Sequence, residues 1–139
     1  MIHAFLDTSV LLHAFGGEHP QRNAARDLVA RAAEDITIHV GAETVQEFLF
    51  HKLHSPDRGS AVPLTRWLLD LVVVHPFDVD VAREMLNLVE SAGLGGRDAV
   101  LAATARMNGF AELITHDTRF VVPRGLTTLT ARQFLDRTH

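Results

Sequence analysis

The opening residues constrain this chain more than any other stretch. Ile2, Ala4, Phe5 and Leu6 form an apolar run that ends on Asp7-Thr8-Ser9, with no Gly or Pro before the helical pattern that begins at Val10. A buried strand that passes directly into a helix, with a carboxylate at the junction, sets that carboxylate at the C-terminal edge of a sheet. In open α/β sheets that edge is where ligands bind. The remaining question is which other acids reach the same edge.

Strand and helix patterns alternate from there. Residues 10–15 read as a short helix, broken by Gly16, Gly17 and Pro20. Ala24, Ala25, Leu28, Val29 and Ala32 recur at helical spacing and predict a helix over 23–35. Residues 36–40 alternate and carry β-branched side chains, which predicts a strand ended by Gly41. A helix follows over 42–54, with Val45, Phe48, Leu49 and Leu53 on one face and Glu43 and Glu47, four apart, on another. Ser55-Pro56-Asp57 stops it. The apolar run 62–73 reads as a helix with Pro63 in its first turn, and 72–75 as a third strand.

Residues 79–91 are amphipathic. The next helix, 99–108, is opened by Arg97-Asp98, is rich in Ala and is apolar nearly all round, the pattern of a buried helix with close neighbours. Residues 111–115 predict a fourth strand, ending on Thr115-His116-Asp117, and 125–129 a last one before a terminal helix over 131–137. Trp67 and most of the eight Phe fall at core spacings and read as packing. The expectation is one α/β domain over residues 1–139, with a mainly parallel central sheet of four to five strands and helices on both faces.

With 139 residues, 47% of them hydrophobic, the chain can build one substantial core. No apolar run is long enough for a membrane span, no basic and apolar leader is visible, and the absence of Cys excludes disulfides and thiolate metal sites. The expected compartment is the cytoplasm. The net charge of −4 argues against a simple polyanion-binding module. That argument weakens if acids are committed to a cation: setting four of the 17 aside leaves 13, equal to the 13 Lys and Arg. All of those bases but Lys52 are Arg, whose guanidinium suits phosphate.

Four acids stand at element ends or on a helix flank: Asp7, Glu47, Asp98 and Asp117. Each has a bland reading. Asp7 and Asp98 can cap helices, Asp117 can form a turn, and Glu47 can be solvated surface. As a set they say more. Two Asp at strand C-termini of one parallel sheet share an edge, and a helix-opening Asp joins them there. Carboxylates gathered in one cleft must take up protons or bind a cation. Oxygen ligands without Cys select a hard ion such as Mg²⁺ or Mn²⁺, suited to phosphodiester hydrolysis.

At these residues the chain resembles the PIN domains, and among them the VapC-type toxins of type II toxin–antitoxin pairs. The resemblance spans essentially the whole length. It rests on Phe5-Leu6-Asp7-Thr8-Ser9-Val10-Leu11-Leu12, on the stretch 43–50 with Glu47 as the helix acid, on Gly96-Arg97-Asp98-Ala99-Val100-Leu101-Ala102-Ala103, and on Leu113-Ile114-Thr115-His116-Asp117-Thr118-Arg119-Phe120. It implies a Mg²⁺- or Mn²⁺-dependent endoribonuclease with Asp7, Glu47, Asp98 and Asp117 as catalytic and metal-binding acids. It also implies a homodimer and a cognate antitoxin that covers the site. Asp7 and Asp98 would be direct ligands, Asp117 a ligand through water or at a second ion, and Glu47 a ligand or the residue that positions the attacking water. Ser9 and Thr115 match supporting positions. Arg97 and His116 are candidates for phosphate contact, against a surface salt bridge for Arg97 and a bystander role for His116. Two alternatives from other classes are a catalytically silent PIN-like module that binds RNA or protein, and a small Mg²⁺-dependent phosphatase. His51 and His54 read as surface histidines, and the glycines at 93–96 lack the ending of a P-loop.

Overall fold

The structure, a computed structural model, describes residues 2–138, so Met1 and His139 fall outside the described residues. Among the described residues five short strands are interspersed with seven α-helices. β1 (Ile2–Phe5), β2 (Ile36–Gly41) and β3 (Val73–His75) form one parallel sheet in the order β1-β2-β3. β4 (Glu112–Ile114) and β5 (Thr127–Leu129) form a second parallel pair. A lone parallel bridge between Leu6 and Ile114 joins the two sheets. The largest hydrogen-bonded sheet therefore has three strands, fewer than the four to five expected for one central sheet. The cause lies at the end of β1. The Leu6 N–H still donates to His39 O (2.9 Å), but the next one, from Asp7, turns to Ile114 O (2.8 Å). Only one residue pair of β1 and β4 lies in register before the chain enters a helix.

Alternating side chains give the first sheet two different faces. Ala4, Leu6, Ile36, Ile38 and Val40 pack on one face. They meet α1 (Thr8–Ala14), α2 (Arg22–Ala30), α3 (Ala42–Leu53), α4 (Ala61–Leu71) and α7 (Ala131–Arg137) through Val10, Leu11, Leu28, Phe48, Leu68 and Phe134. Burying each of these large side chains contributes about 1.5–3 kcal/mol. The other face carries Phe5 and, with Leu113 of β4, takes α5 (Val79–Ala92) and α6 (Gly96–Met107). Ala99, Ala102, Ala103 and Ala105 are fully buried, which lets α6 approach closely, as its composition predicts. Helices thus cover both faces.

Helix ends depart from the sequence expectation where polar residues intervene. α2 gives way to a 3-10 turn over Arg31–Ala33, and Asp35 turns back to Arg31 in a two-pronged pair at 2.9 and 2.5 Å. α6 begins at Gly96 with Gly95 as its N-cap, so Asp98 lies inside the first turn and does not cap it. Trp67, read as core, is 45% exposed and makes a T-shaped contact with Phe15. Phe50 and Phe77 are exposed too.

Three histidines form a ladder across the first sheet. His3 Nδ1 lies 2.8 Å from His39 Nε2, and His39 Nδ1 lies 2.9 Å from His75 Nε2. Phe110 packs edge-on to His39. Burial, then the neighbouring His75 and His3, bring His39 down to about 4. Among the described residues no helix is long and apolar enough to cross a membrane.

Candidate active site

Asp7, Glu47, Asp98 and Asp117 line one cleft of about 380 Å³ beside the C-terminal ends of β1, β2 and β4. Each arrives by a different route. Asp7 is the N-cap residue of α1, yet its side chain makes no capping bond. Its carboxylate is held from the other sheet: Thr115 donates to Oδ2 at 2.7 Å and Ser9 donates to the same oxygen at 3.0 Å. That leaves Oδ1 for a ligand in the cleft. Thr115 Oγ1 in turn accepts from the Asp117 N–H at 3.1 Å, and Ser9 Oγ accepts from the His116 N–H at 3.0 Å. The two hydroxyls lock the junctions after β1 and β4 to one another.

Asp117 Oδ1 accepts from the Arg119 N–H at 2.9 Å, the turn role open to it in sequence, and the residue also faces the cleft. Asp98 comes from the first turn of α6 and Glu47 from the middle of α3. Glu47 is only 24% exposed at its side chain and pairs with Arg97, whose guanidinium is 70% exposed. Arg97 therefore has both a bond to Glu47 and N–H groups directed to solvent at the rim.

Of the two roles open to His116, phosphate contact and bystander, the structure gives the ring partners within the fold. Its Nε2 accepts from the Ala131 N–H at 3.2 Å and its Nδ1 lies 2.7 Å from His13 Nδ1, so both ring nitrogens are engaged within the fold. Burial, with His13 and His19 adding to it, brings this ring down to about 4. His51, read as surface, lines the cleft on the α3 side.

Glu43 is the acid that pattern reading passed over. It sits one turn before Glu47 on α3 and lines the same cleft. Its Oε1 is buried without a hydrogen-bond partner. A Cβ on Gly41 would come within 2.9 Å of its Oε2, so glycine at the end of β2 leaves the space this carboxylate occupies. Burial pushes the Glu43 carboxyl up, against a bond from its own backbone N–H, and Glu47 adds to the rise. The signal was available: two Glu four apart share a helix face. An orphaned carboxylate oxygen beside four further carboxylates fits a hard divalent cation with oxygen ligands. Among the described residues no three His, Asp or Glu side chains already close round one point.

A PIN-domain family model matches residues 4–125. The chain is 38% identical over 119 residues to Ribonuclease VapC7 of Mycobacterium tuberculosis, across 83% of this chain and 82% of that protein. Among solved structures, a toxin–antitoxin complex from Klebsiella pneumoniae superposes with a TM-score of 0.70 at 23% identity, covering 92% of this chain and 97% of that one. Mycobacterium tuberculosis VapC20, described as a sarcin–ricin loop cleaving toxin, superposes with a TM-score of 0.69 at 16% identity, covering 84% and 92%.

Proposed function

The chain belongs to the PIN-domain family, and from that premise we propose that it is a divalent-cation-dependent endoribonuclease, the toxin of a toxin–antitoxin pair. In this reading residues 1–139 form one nuclease domain that hydrolyses RNA phosphodiester bonds at the acidic cleft. The observation that carries it is the meeting of Asp7, Glu47, Asp98 and Asp117, from separate elements, in one cleft at the sheet edge. The likeness to Ribonuclease VapC7 supports the reaction and substrate class.

Asp7 and Asp98 would hold the ion, Mg²⁺ or Mn²⁺, directly, with Asp117 behind a water. When bound, such an ion supplies a polarised water and positive charge against the charge that develops on the phosphodiester. The protein's own work is positioning. Ser9 and Thr115 fix Asp7 by occupying Oδ2, and so aim Oδ1 into the cleft. Glu47 orients the attacking water, and Arg97 holds Glu47 while its outward N–H groups meet a phosphate oxygen. A net charge of −4 is compatible with a polyanionic substrate once cations offset these acids. The toxin reading brings two partners, an antitoxin that covers the cleft and a second copy of this chain; the complex from Klebsiella pneumoniae supports the first by likeness of fold.

The test is cleavage of total cellular RNA by the purified chain with Mg²⁺, Mn²⁺ or EDTA, read by sequencing new ends, beside Asp7→Asn and Asp98→Asn. Discrete, cation-dependent cuts that both variants abolish are expected. Cuts that persist in both variants, or hydrolysis of a phosphomonoester but not of RNA, would overturn the assignment.

A further inference from the structure

The acidic cleft uses the first turn of α1 and leaves the second unexplained. Ser9 faces the cleft, and His13, four residues on, occupies the same helix face. Its ring joins two other imidazoles. On one side it meets His116 edge to edge, near coplanar, with centroids 4.9 Å apart and planes 18° apart. On the other side His19 is stacked on it face to face at 3.8 Å and 15°. The row runs from the residue beside Asp117 out to the segment that follows α1.

The protons in it are ordered. The Ala131 N–H donates to His116 Nε2, so a neutral His116 carries its proton on Nδ1 and donates it to His13 Nδ1. Both nitrogens of His116 are thereby engaged within the fold. His19 differs. It is exposed, and its Nδ1 accepts from the Gln21 N–H at 3.1 Å, which fixes the ring without covering it. Beside it lies a cavity of about 390 Å³ lined by Glu18, His19, Pro20, Arg22 and Asn23. Arg22 has no ion-pair partner among the described residues. Glu18 is the one acid there, and its charge disfavours a bare phosphate. A flat ring backed by His13, next to a guanidinium outside the ion pairs of the described residues, suits a nucleotide that offers a base face as well as a phosphate. Unpaired RNA is held in this way, by stacking on aromatic or imidazole rings with cationic contacts to the backbone.

We propose that His19 is a base-stacking platform for the RNA strand, with Arg22 on the adjoining phosphate, one helical turn of α1 away from the cleft. The proposal rests on the ribonuclease reading and names the residue that seats a nucleotide flanking the cut. His13 covers one face of the exposed His19 ring, which leaves the other face for a base.

The experiment uses the full chain in an Asp98→Asn background with EDTA, so that RNA is bound and not cut. The probes are a fluorescein-labelled 12-mer of oligoadenylate and the same length of abasic ribose-phosphate backbone, followed by anisotropy at low salt. His19→Ala is expected to weaken oligoadenylate binding roughly tenfold, as the loss of one stacked base does. His19→Phe is expected to restore it, and the abasic strand to show no difference among the three. Melting temperature and Mn²⁺ affinity of His19→Ala are expected to stay at the parental values. Arg22→Gln is expected to weaken both strands and to flatten the salt dependence. The proposal is overturned if His19→Ala binds oligoadenylate as tightly as its parent, if His19→Phe is as weak as His19→Ala, or if the abasic strand loses as much. The nuclease reading fails separately: a chain that cuts no RNA with its acids intact, yet binds oligoadenylate through His19, would be an RNA-binding module that keeps this platform.

Discussion

Acidification from pH 7 to pH 5 is expected to cost the fold about 2 kcal/mol at His39 alone. The ring sits in the middle of the ladder, with His3 of β1 on one side, His75 of β3 on the other and Phe110 against its face. There is no carboxylate among these neighbours to favour a second proton. Its folded value of about 4 stands against the ordinary 6.5. The unfolded chain takes up the proton first, so the contribution of neutral His39 is whole above pH 6.5 and drains away as pH falls toward 4. Two and a half units correspond to a ceiling of about 3 kcal/mol, of which about 2 kcal/mol is lost by pH 5. His75 is pushed down by burial and adds in the same sense. Asp35 and Glu112, lowered by their pairing with Arg31 and Arg137, lose their share only as pH falls through the carboxylate range. Glu43, raised by burial, acts in the opposite sense and regains stability on protonation. The decisive measurement is therefore a difference: urea unfolding followed by circular dichroism at pH 7 and 5, for the wild type and His39→Gln. The variant is less stable at pH 7, and its loss between the two pH values is expected to be smaller by about 2 kcal/mol. Equal losses in the two proteins would refute the reasoning.

Other outcomes follow from the cleft. Glu43→Gln removes a carboxylate charge that burial and Glu47 disfavour, and is expected to raise unfolding stability at pH 7 by about 1 kcal/mol, checked by the same urea titration. Gly41→Ala drives a methyl against Glu43 Oε2 and is expected to cost about 1–2 kcal/mol. Most of that is expected to return in the double variant with Glu43→Ala, a coupling read from a double-mutant cycle; strict additivity would place the clash elsewhere. Thr115→Val deletes the donor to Asp7 Oδ2 while keeping the side-chain shape, and is expected to weaken calorimetric Mn²⁺ affinity about tenfold. An unchanged affinity would mean that Asp7 needs no such support.

The order of elements was legible because the pattern changes period at each junction: Ile36, Ile38 and Val40 alternate, while Ala24, Leu28 and the alanines of α6 recur by turns. Asp7 was legible as an edge residue because nothing separates the β1 run from the α1 pattern. The division of the sheet was not. It arises because the contact between the two sheets is the single bridge Leu6–Ile114 before the chain enters α1, and no side chain records that. Trp67 misled because its helical spacing fits the core face, while 45% of the residue stays exposed beside its T-shaped contact with Phe15. Glu43 was visible as the partner of Glu47 by spacing, but its burial follows from the absence of a side chain on Gly41, a neighbour on another element. The histidine row was only half legible: His13 and His19 are six residues apart, but His116 comes from the segment after β4 and meets His13 only in the fold.

The seam between the two sheets also governs when the cleft comes into being. Synthesis supplies Asp7, Glu47 and Asp98 within the first hundred residues, all before β4 exists. The hydroxyl of Thr115 that holds Asp7, the carbonyl of Ile114 that takes its amide, and Asp117 itself arrive later, and β4 has no partner until β5 follows. A chain still on the ribosome thus holds three of the four cleft acids before the hydroxyl that bonds Asp7 has been made. On the proposed ribonuclease reading, cleavage of RNA is expected only after β4 and its partner strand have docked.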